Sequence, residues 1–257
     1  MENLDHDMII GIHSIAEAIR NPERQIFEIV ATDEGFQEFK KRSGLKESEI
    51  PLTKVRWLEG HALQEEAKRI YQEMELEFQR VPSGIFMLVS PINIYEPTWI
   101  YEQLESRIPI KILALDQVTD AHNGAAIMRT AAFYGVDCVL LSARGNFGTG
   151  PGFSRIASGA TEYVKIVKCS GLPKALTKLK DLGAIVVGLS EHATGDLGII
   201  DTKKPICLVL GAEDVGMSHA VSRVVETTIS FKPQGKIKSL NVSVAAAIAM
   251  EKIFGAV

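Results

Sequence analysis

The chain has 257 residues, 46% of them apolar and 23% charged, the composition of a globular chain and not of a disordered one. Its formal charge of −4 divides unevenly: residues 1–100 hold 11 Lys/Arg against 18 Asp/Glu, and residues 101–257 hold 17 against 14, so only the second part has a balance that suits a polyanion. No apolar run reaches the roughly 18 residues of a membrane span, and the acidic N-terminus lacks the basic residues of a secretory signal, so a cytoplasmic chain is expected.

The first element expected is a helix over Ser14–Arg20, with Ser14 as its cap and Glu17 at capping-box spacing. Gln25–Ala31 alternates and is β-branched, which reads as a strand. Asp33–Arg42 and Leu58–Tyr71 read as helices and Gly84–Val89 as an apolar strand, after which Pro91, Asn93 and Pro97 mark a linker. From residue 109 the alternation is more regular. Strands are expected at Ile110–Leu115, Cys138–Leu141, Tyr163–Val167, Ala184–Leu189, Ile206–Leu210 and Thr227–Phe231, with helices at Gly124–Tyr134, Leu172–Leu182 and Leu240–Phe254. These strands are nearly all apolar, as a parallel sheet buried on both faces requires. The expectation is a doubly wound α/β domain with its ligand at the carboxyl ends of the strands.

Generic signatures are missing. There is no GxxxxGK[ST], and Gly145, Gly148, Gly150 and Gly152 lack the spacing of a dinucleotide fingerprint, so that stretch reads as a flexible loop. Gly216–Ala220 ends in alanine where a nucleophile elbow needs glycine. Three widely spaced cysteines (Cys138, Cys169, Cys207) and six scattered histidines give neither a disulfide framework nor metal-ligand spacing, so no metal is expected.

Three segments carry more. In Asp116–Ala131, Asn123 sits near a helix start with Arg129 six residues on, and Gly124, Ala125 and Ala126 allow close approach of a ligand or backbone. Taken alone, Asn123 reads as an N-cap and Arg129 as a solvated helix charge. In Leu208–Ser218 a strand runs into Gly211-Ala212-Glu213, which alone is an ordinary strand-to-helix turn. In Phe231–Ala245 a glycine turn leads into Ser239-Leu240-Asn241-Val242-Ser243 and an alanine-rich helix, with Ser239 available as its cap.

In this order the three segments resemble the motifs of the SpoU (TrmH) family of RNA ribose 2′-O-methyltransferases, within the SPOUT superfamily. Asn123 and Arg129 match the Asn-x5-Arg of the first motif, Gly211 and Glu213 the second, and Ser239, Leu240 and Asn241 the third. Ser154–Val164 resembles the family's Ser-Gly-Ala segment, and the resemblance spans residues 109–257. The N-terminal part is similar to the family's L30e-like substrate-binding module, through Gly11–Ile19 and Ser83-Gly84-Ile85, although Pro82-Ser83 stands where many members have His-Gln. Lys232-Pro233 likewise replaces a usual Pro-Met pair.

The resemblance implies an α/β chain with an L30e-like domain at residues 1–90, a linker at 91–105, and a SPOUT-type parallel sheet with a trefoil knot at 106–257. It implies S-adenosylmethionine as methyl donor, held at Gly211, Phe231 and Leu240, and a homodimer formed through the C-terminal domain. Arg129 would be the activator of the 2′-hydroxyl, positioned with the ribose by Asn123, Glu213, Ser239 and Asn241. A guanidinium with a pKa above about 12 is a poor base, so binding phosphate and stabilising alkoxide character suits Arg129 better. The separate N-terminal domain resembles rRNA-directed members, which favours 23S rRNA over tRNA as substrate. The alternatives are a tRNA-modifying enzyme, a catalytically silent RNA-binding relative, and, more remotely, a nucleotide-dependent oxidoreductase.

Overall fold

A computed structural model describes residues 6–144, 147–190, 204–237 and 239–255. The acidic residues 1–5, Gly145 of the glycine-rich stretch and Lys238 of the third segment lie outside the described residues. In chain order the elements begin with β1 (Asp7–Ile10), α1 (Ile12–Arg20), β2 (Ile26–Ala31), α2 (Asp33–Arg42), β3 (Val55–Trp57), α3 (Gly60–Glu73) and β4 (Ile85–Val89). There follow β5 (Ile94–Tyr95), α4 (Pro97–Glu105), β6 (Lys111–Asp116), α5 (Ala121–Phe133), β7 (Cys138–Ser142), α6 (Pro151–Ala157) and β8 (Lys165–Cys169). The chain then runs through α7 (Leu172–Asp181), β9 (Ile185–Leu189), β10 (Ile206–Gly211), α8 (His219–Ser222), β11 (Thr227–Ile229) and α9 (Val242–Phe254). Two compact units result: Met1–Ile92 with Gly148–Glu162, and Asn93–Phe147 with Tyr163–Val257.

The first unit is a mixed sheet in the order β1-β4-β2-β3, with only β2 and β3 parallel. Strand periodicity sorts its apolar side chains onto two faces. Ile9, Ile29, Ala31, Ile85 and Met87 pack with Ile15 of α1 and with Phe36 and Phe39 of α2. Met8, Ile10, Val30 and Phe86 pack with Leu63, Ile70 and Tyr71 of α3. Thr32 caps α2 by accepting from Gly35 N at 2.9 Å. The expected cap of α1 is a correction: the helix begins after Gly11, and Ser14 lies inside it, buried, donating to the Ser154 carbonyl at 2.6 Å. A serine that finds a partner from another segment has no need of its own helix terminus.

The second unit is an all-parallel seven-stranded sheet, ordered β11-β9-β10-β6-β7-β8-β5. Ile112, Ala114, Leu140 and Val209 bury one face beneath Ile100 and Leu104 of α4 and Leu176 and Leu179 of α7. Helices α5 and α9 pack on each other, and α9 also meets β10. Strand order runs outward from β6 through β7 to β8, then reverses across β6 to β10, with Asp116 and Gly211 side by side at the reversal. Such a switch point leaves a crevice beyond the carboxyl ends, where ligands of open α/β sheets bind.

The expected boundaries differ from these units in two places. The stretch 91–105 holds β5 and α4, both in the second unit, because Pro97 opens a helix at N1 instead of ending one. Residues 148–162 group with the first unit, held by Ser14 and by hydrogen bonding of Asn21 to Glu162.

Candidate active site at the switch point

Three chain segments reach the carboxyl edge of the parallel sheet, and each is shaped locally before it contributes a side chain. Strand β6 ends in Asp116, which is 6% exposed and accepts from Ser218 N at 2.6 Å. Asp120 then caps α5 by accepting from Asn123 N at 2.7 Å. The capping role considered for Asn123 therefore belongs to Asp120, and the Asn123 side chain is left for other partners. Strand β10 ends at Gly211, and Ala212 and Gly216 exchange two backbone hydrogen bonds of 3.1 and 2.9 Å across the turn that follows. A Cβ on Gly211 would stand 2.1 Å from the Gly216 carbonyl carbon, so only glycine fits where this turn folds back. Asn241 caps α9, the role for which Ser239 was also available: its Oδ1 accepts from Ser243 N at 2.9 Å and from Ser243 Oγ at 2.6 Å.

These turns bring Asn123, Glu213 and Asn241 together. Asn241 Nδ2 donates to Asn123 Oδ1 at 3.0 Å and to Glu213 Oε2 at 3.1 Å, and Asn123 Nδ2 reaches the same oxygen at 3.5 Å. A carboxylate is thus held by two amide donors from segments 90 and 28 residues away. Charged acceptors make the stronger hydrogen bonds, so the arrangement fixes Glu213 more firmly than it would a neutral group.

Beside this network lies a cavity of about 570 Å³, bounded by Leu189 and Ser190 at the end of β9, by the 210–217 turn, and by the chain between β11 and α9. That volume falls within the roughly 300–1,000 Å³ of small-molecule sites. Gly211, Phe231, Leu240 and Ser239 all line it, and so does Glu213, which belongs to both cavity and network. Among the described residues Arg129 joins neither. It is exposed on α5, and six helical residues carry it to another side of the helix from Asn123.

Several residues here escaped sequence reading. Asp120 was legible as a good cap three residues before Asn123. Asp116 and Met217 carried no such signal. Met217 lines the cavity while packing on Gly188, whose added Cβ would lie 2.7 Å from the Met217 methyl.

Comparison with known proteins adds to this geometry. The model of the SpoU rRNA Methylase family matches residues 111–251. A 23S rRNA (guanosine-2′-O-)-methyltransferase RlmB of Ralstonia nicotianae is 30% identical over 250 residues, covering 95% of this chain and 93% of that protein. The RlmB of Pseudomonas putida is 26% identical, covering 95% and 94%. Among solved structures, the SpoU methyltransferase AviRb from Streptomyces viridochromogenes, in complex with the cofactor AdoMet, superposes with a TM-score of 0.68 at 18% identity, covering 98% of this chain and 90% of that one. At that identity the likeness is one of fold.

Proposed function

We propose that this chain, which belongs to the SpoU rRNA Methylase family, transfers the methyl group of S-adenosylmethionine to a ribose 2′-hydroxyl in RNA, with 23S rRNA as the substrate. The observation that carries the proposal is Glu213, which faces the cavity and is at once bound into the Asn123–Asn241 network. A cofactor site and a polar site that share a residue are adjacent, as methyl transfer demands.

The cavity residues fit the donor. Gly211 has no Cβ to hold a ligand away from the backbone, Leu189, Leu210 and Val242 offer apolar surface, and Ser190, Ser222 and Gln234 offer polar partners. When bound, S-adenosylmethionine supplies a methyl group on a sulfonium sulfur. Gly211, Phe231 and Leu240 hold it, and Asn123, Glu213, Ser239 and Asn241 orient the ribose. Arg129 binds the RNA phosphate and stabilises negative charge on the 2′-oxygen as its proton passes to solvent water and the O–C bond forms with loss of the neutral thioether.

In the same reading the first unit is the L30e-like module that binds the RNA, and the second carries the trefoil knot. Two chains pair through the second unit in the cytoplasm. Val244 and Phe133, 47% and 82% exposed, offer apolar surface for that pairing, and twofold dimers are the commonest oligomer.

Incubating the purified chain with S-adenosylmethionine and either ribosomal RNA or tRNA, then mapping alkali-resistant linkages, tests the reaction, because a 2′-O-methyl group blocks cleavage at its own nucleotide. New resistance at one position of 23S rRNA is expected. Resistance only in tRNA would reassign the substrate, and none in either, with cofactor bound, would leave a silent RNA-binding relative.

A further inference from the structure

We propose that Phe147 is a positioning residue, whose ring seats the first turn of α5 and thereby sets the place of Asn123. The inference rests on the methyl-transfer reading and extends it to a residue outside the family motifs. A Cβ added to Gly124 would lie 2.4, 2.5 and 2.7 Å from Cδ1, Cε1 and Cγ of Phe147, so the ring lies directly against the glycine backbone. Phe147 is only 6% exposed, and Gly124 is buried as well. Glycine is a poor helix former, and its place in the first turn of α5 is explained by this ring contact.

The contact matters because of where it falls. Gly124 is the next residue after Asn123, so the ring presses on the turn that presents the Asn123 amide. That amide reaches Glu213 at 3.5 Å, the outer limit of a hydrogen bond. A shift of α5 by a fraction of an ångström away from Glu213 breaks the link. Phe147 itself does not line the cavity of about 570 Å³, so removing its ring acts on the network from the Asn123 side and opens no gap in the cofactor walls.

The test compares wild type with Phe147→Ala, Gly124→Ala and the pair Phe147→Ala/Gly124→Leu, in which a leucine side chain grows into the space the ring left. Single-turnover methylation should fall on the order of 10- to 100-fold in each single variant, the usual effect of a misplacement near 1 Å. Affinity for S-adenosylmethionine by calorimetry should stay within about twofold, and the pair should recover most of the rate. A wild-type rate in Phe147→Ala overturns the proposal, and so does a loss of cofactor affinity equal to the loss of rate. Side-chain amide resonances of Asn123 and Asn241 give a readout that needs no turnover: both should move in Phe147→Ala and return in the pair. Unmoved resonances overturn the placement whether or not the wild type methylates RNA. A wild type without methyl transfer, in which those resonances still respond, overturns the functional reading alone.

Discussion

The two units use their charged side chains in opposite ways. In the first unit several arginines are committed to carboxylates of the same unit: Arg56 bridges Glu28 and Glu66, Arg69 joins Glu66 and Glu73, and Arg24 lies between Asp7 and Glu162. In the second, the sole ion pair among the described residues joins Lys180 to Glu226 at 4.0 Å. Around its carboxyl edge Glu213 is met by amides instead of a cation, and Arg129 is exposed. Charges neutralised within a unit contribute to its stability, whereas charges left open are available to a ligand.

Arg24 should give the largest effect and most directly tests the first half of this contrast. Its side chain is 6% exposed and that of Glu162 2%. Removing one partner of a buried pair strands the other charge, at a typical cost of about 3–5 kcal/mol. Arg24→Ala should lower the urea midpoint of the first unit accordingly. Trp57 reports that unit alone once Trp99 of α4 is changed to Phe. An unchanged midpoint would mean that Arg24 contributes little there and would weaken the contrast.

Arg129 tests the other half. Arg129→Ala should slow methyl transfer on the order of 100- to 1,000-fold, with little change in cofactor binding or in melting temperature. Arg129→Lys keeps the charge but not the planar fork and should rescue little. Single-turnover rates beside calorimetric affinities separate the outcomes. Lost cofactor binding with an unchanged chemical step would move Arg129 into the cofactor pocket, and wild-type rates in both variants would remove it from the mechanism.

The same contrast explains what sequence could and could not reveal. The parallel sheet was legible because β6, β7, β9 and β10 have apolar interiors, with charged or polar residues only at the ends of β6 and β7. β1, β3 and β5 were not, since four, three and two residues are too few to show a period. At the site, Asn123, Glu213 and Asn241 were singled out by motif, but their mutual contacts depend on three separate turns. Phe147 was invisible, because nothing in the glycine-rich stretch says that its ring returns to Gly124. The grouping of residues 148–162 with the first unit was equally hidden, since Glu162 finds Asn21 and Arg24 only through tertiary structure.

A smaller effect is expected at Asn241, which combines both uses. As the cap of α9 it contributes about 0.5–2 kcal/mol, and as a donor it holds Glu213. Asn241→Asp keeps the capping oxygen but sets a second carboxylate against Glu213. It should therefore nearly keep the melting temperature while losing most of the turnover, and Asn241→Ala should lose both. If Asn241→Asp melts like Asn241→Ala, the residue matters chiefly as a cap and the network is incidental.

The smallest effect is a dependence of the first unit's stability on pH, and its sign differs between two carboxylates. Burial raises Glu162 above its ordinary 4.5 in spite of Arg24, and it raises Asp7 as well. A folded-state pKa above the unfolded one favours folding while the group is protonated, so the contribution is fully present below 4.5 for Glu162 and below 3.8 for Asp7, and is lost as pH rises through each raised value. Hydrogen bonds from Arg69 and then Arg56 lower Glu66 to about 2, so its contribution is present above 4.5 and is lost as pH falls toward 2. The stability of the unit should thus decline on both sides of pH 4.5, for different reasons on each side. Glu162→Gln should flatten only the upper limb, leaving what Asp7 supplies, and Glu66→Gln only the lower. Urea midpoints read from Trp57 across pH 3 to 7 resolve the two limbs. An upper limb equally steep in Glu162→Gln would show that burial of this carboxyl does not govern it, and that the Arg24 pair holds its charge as the exposed pairs do.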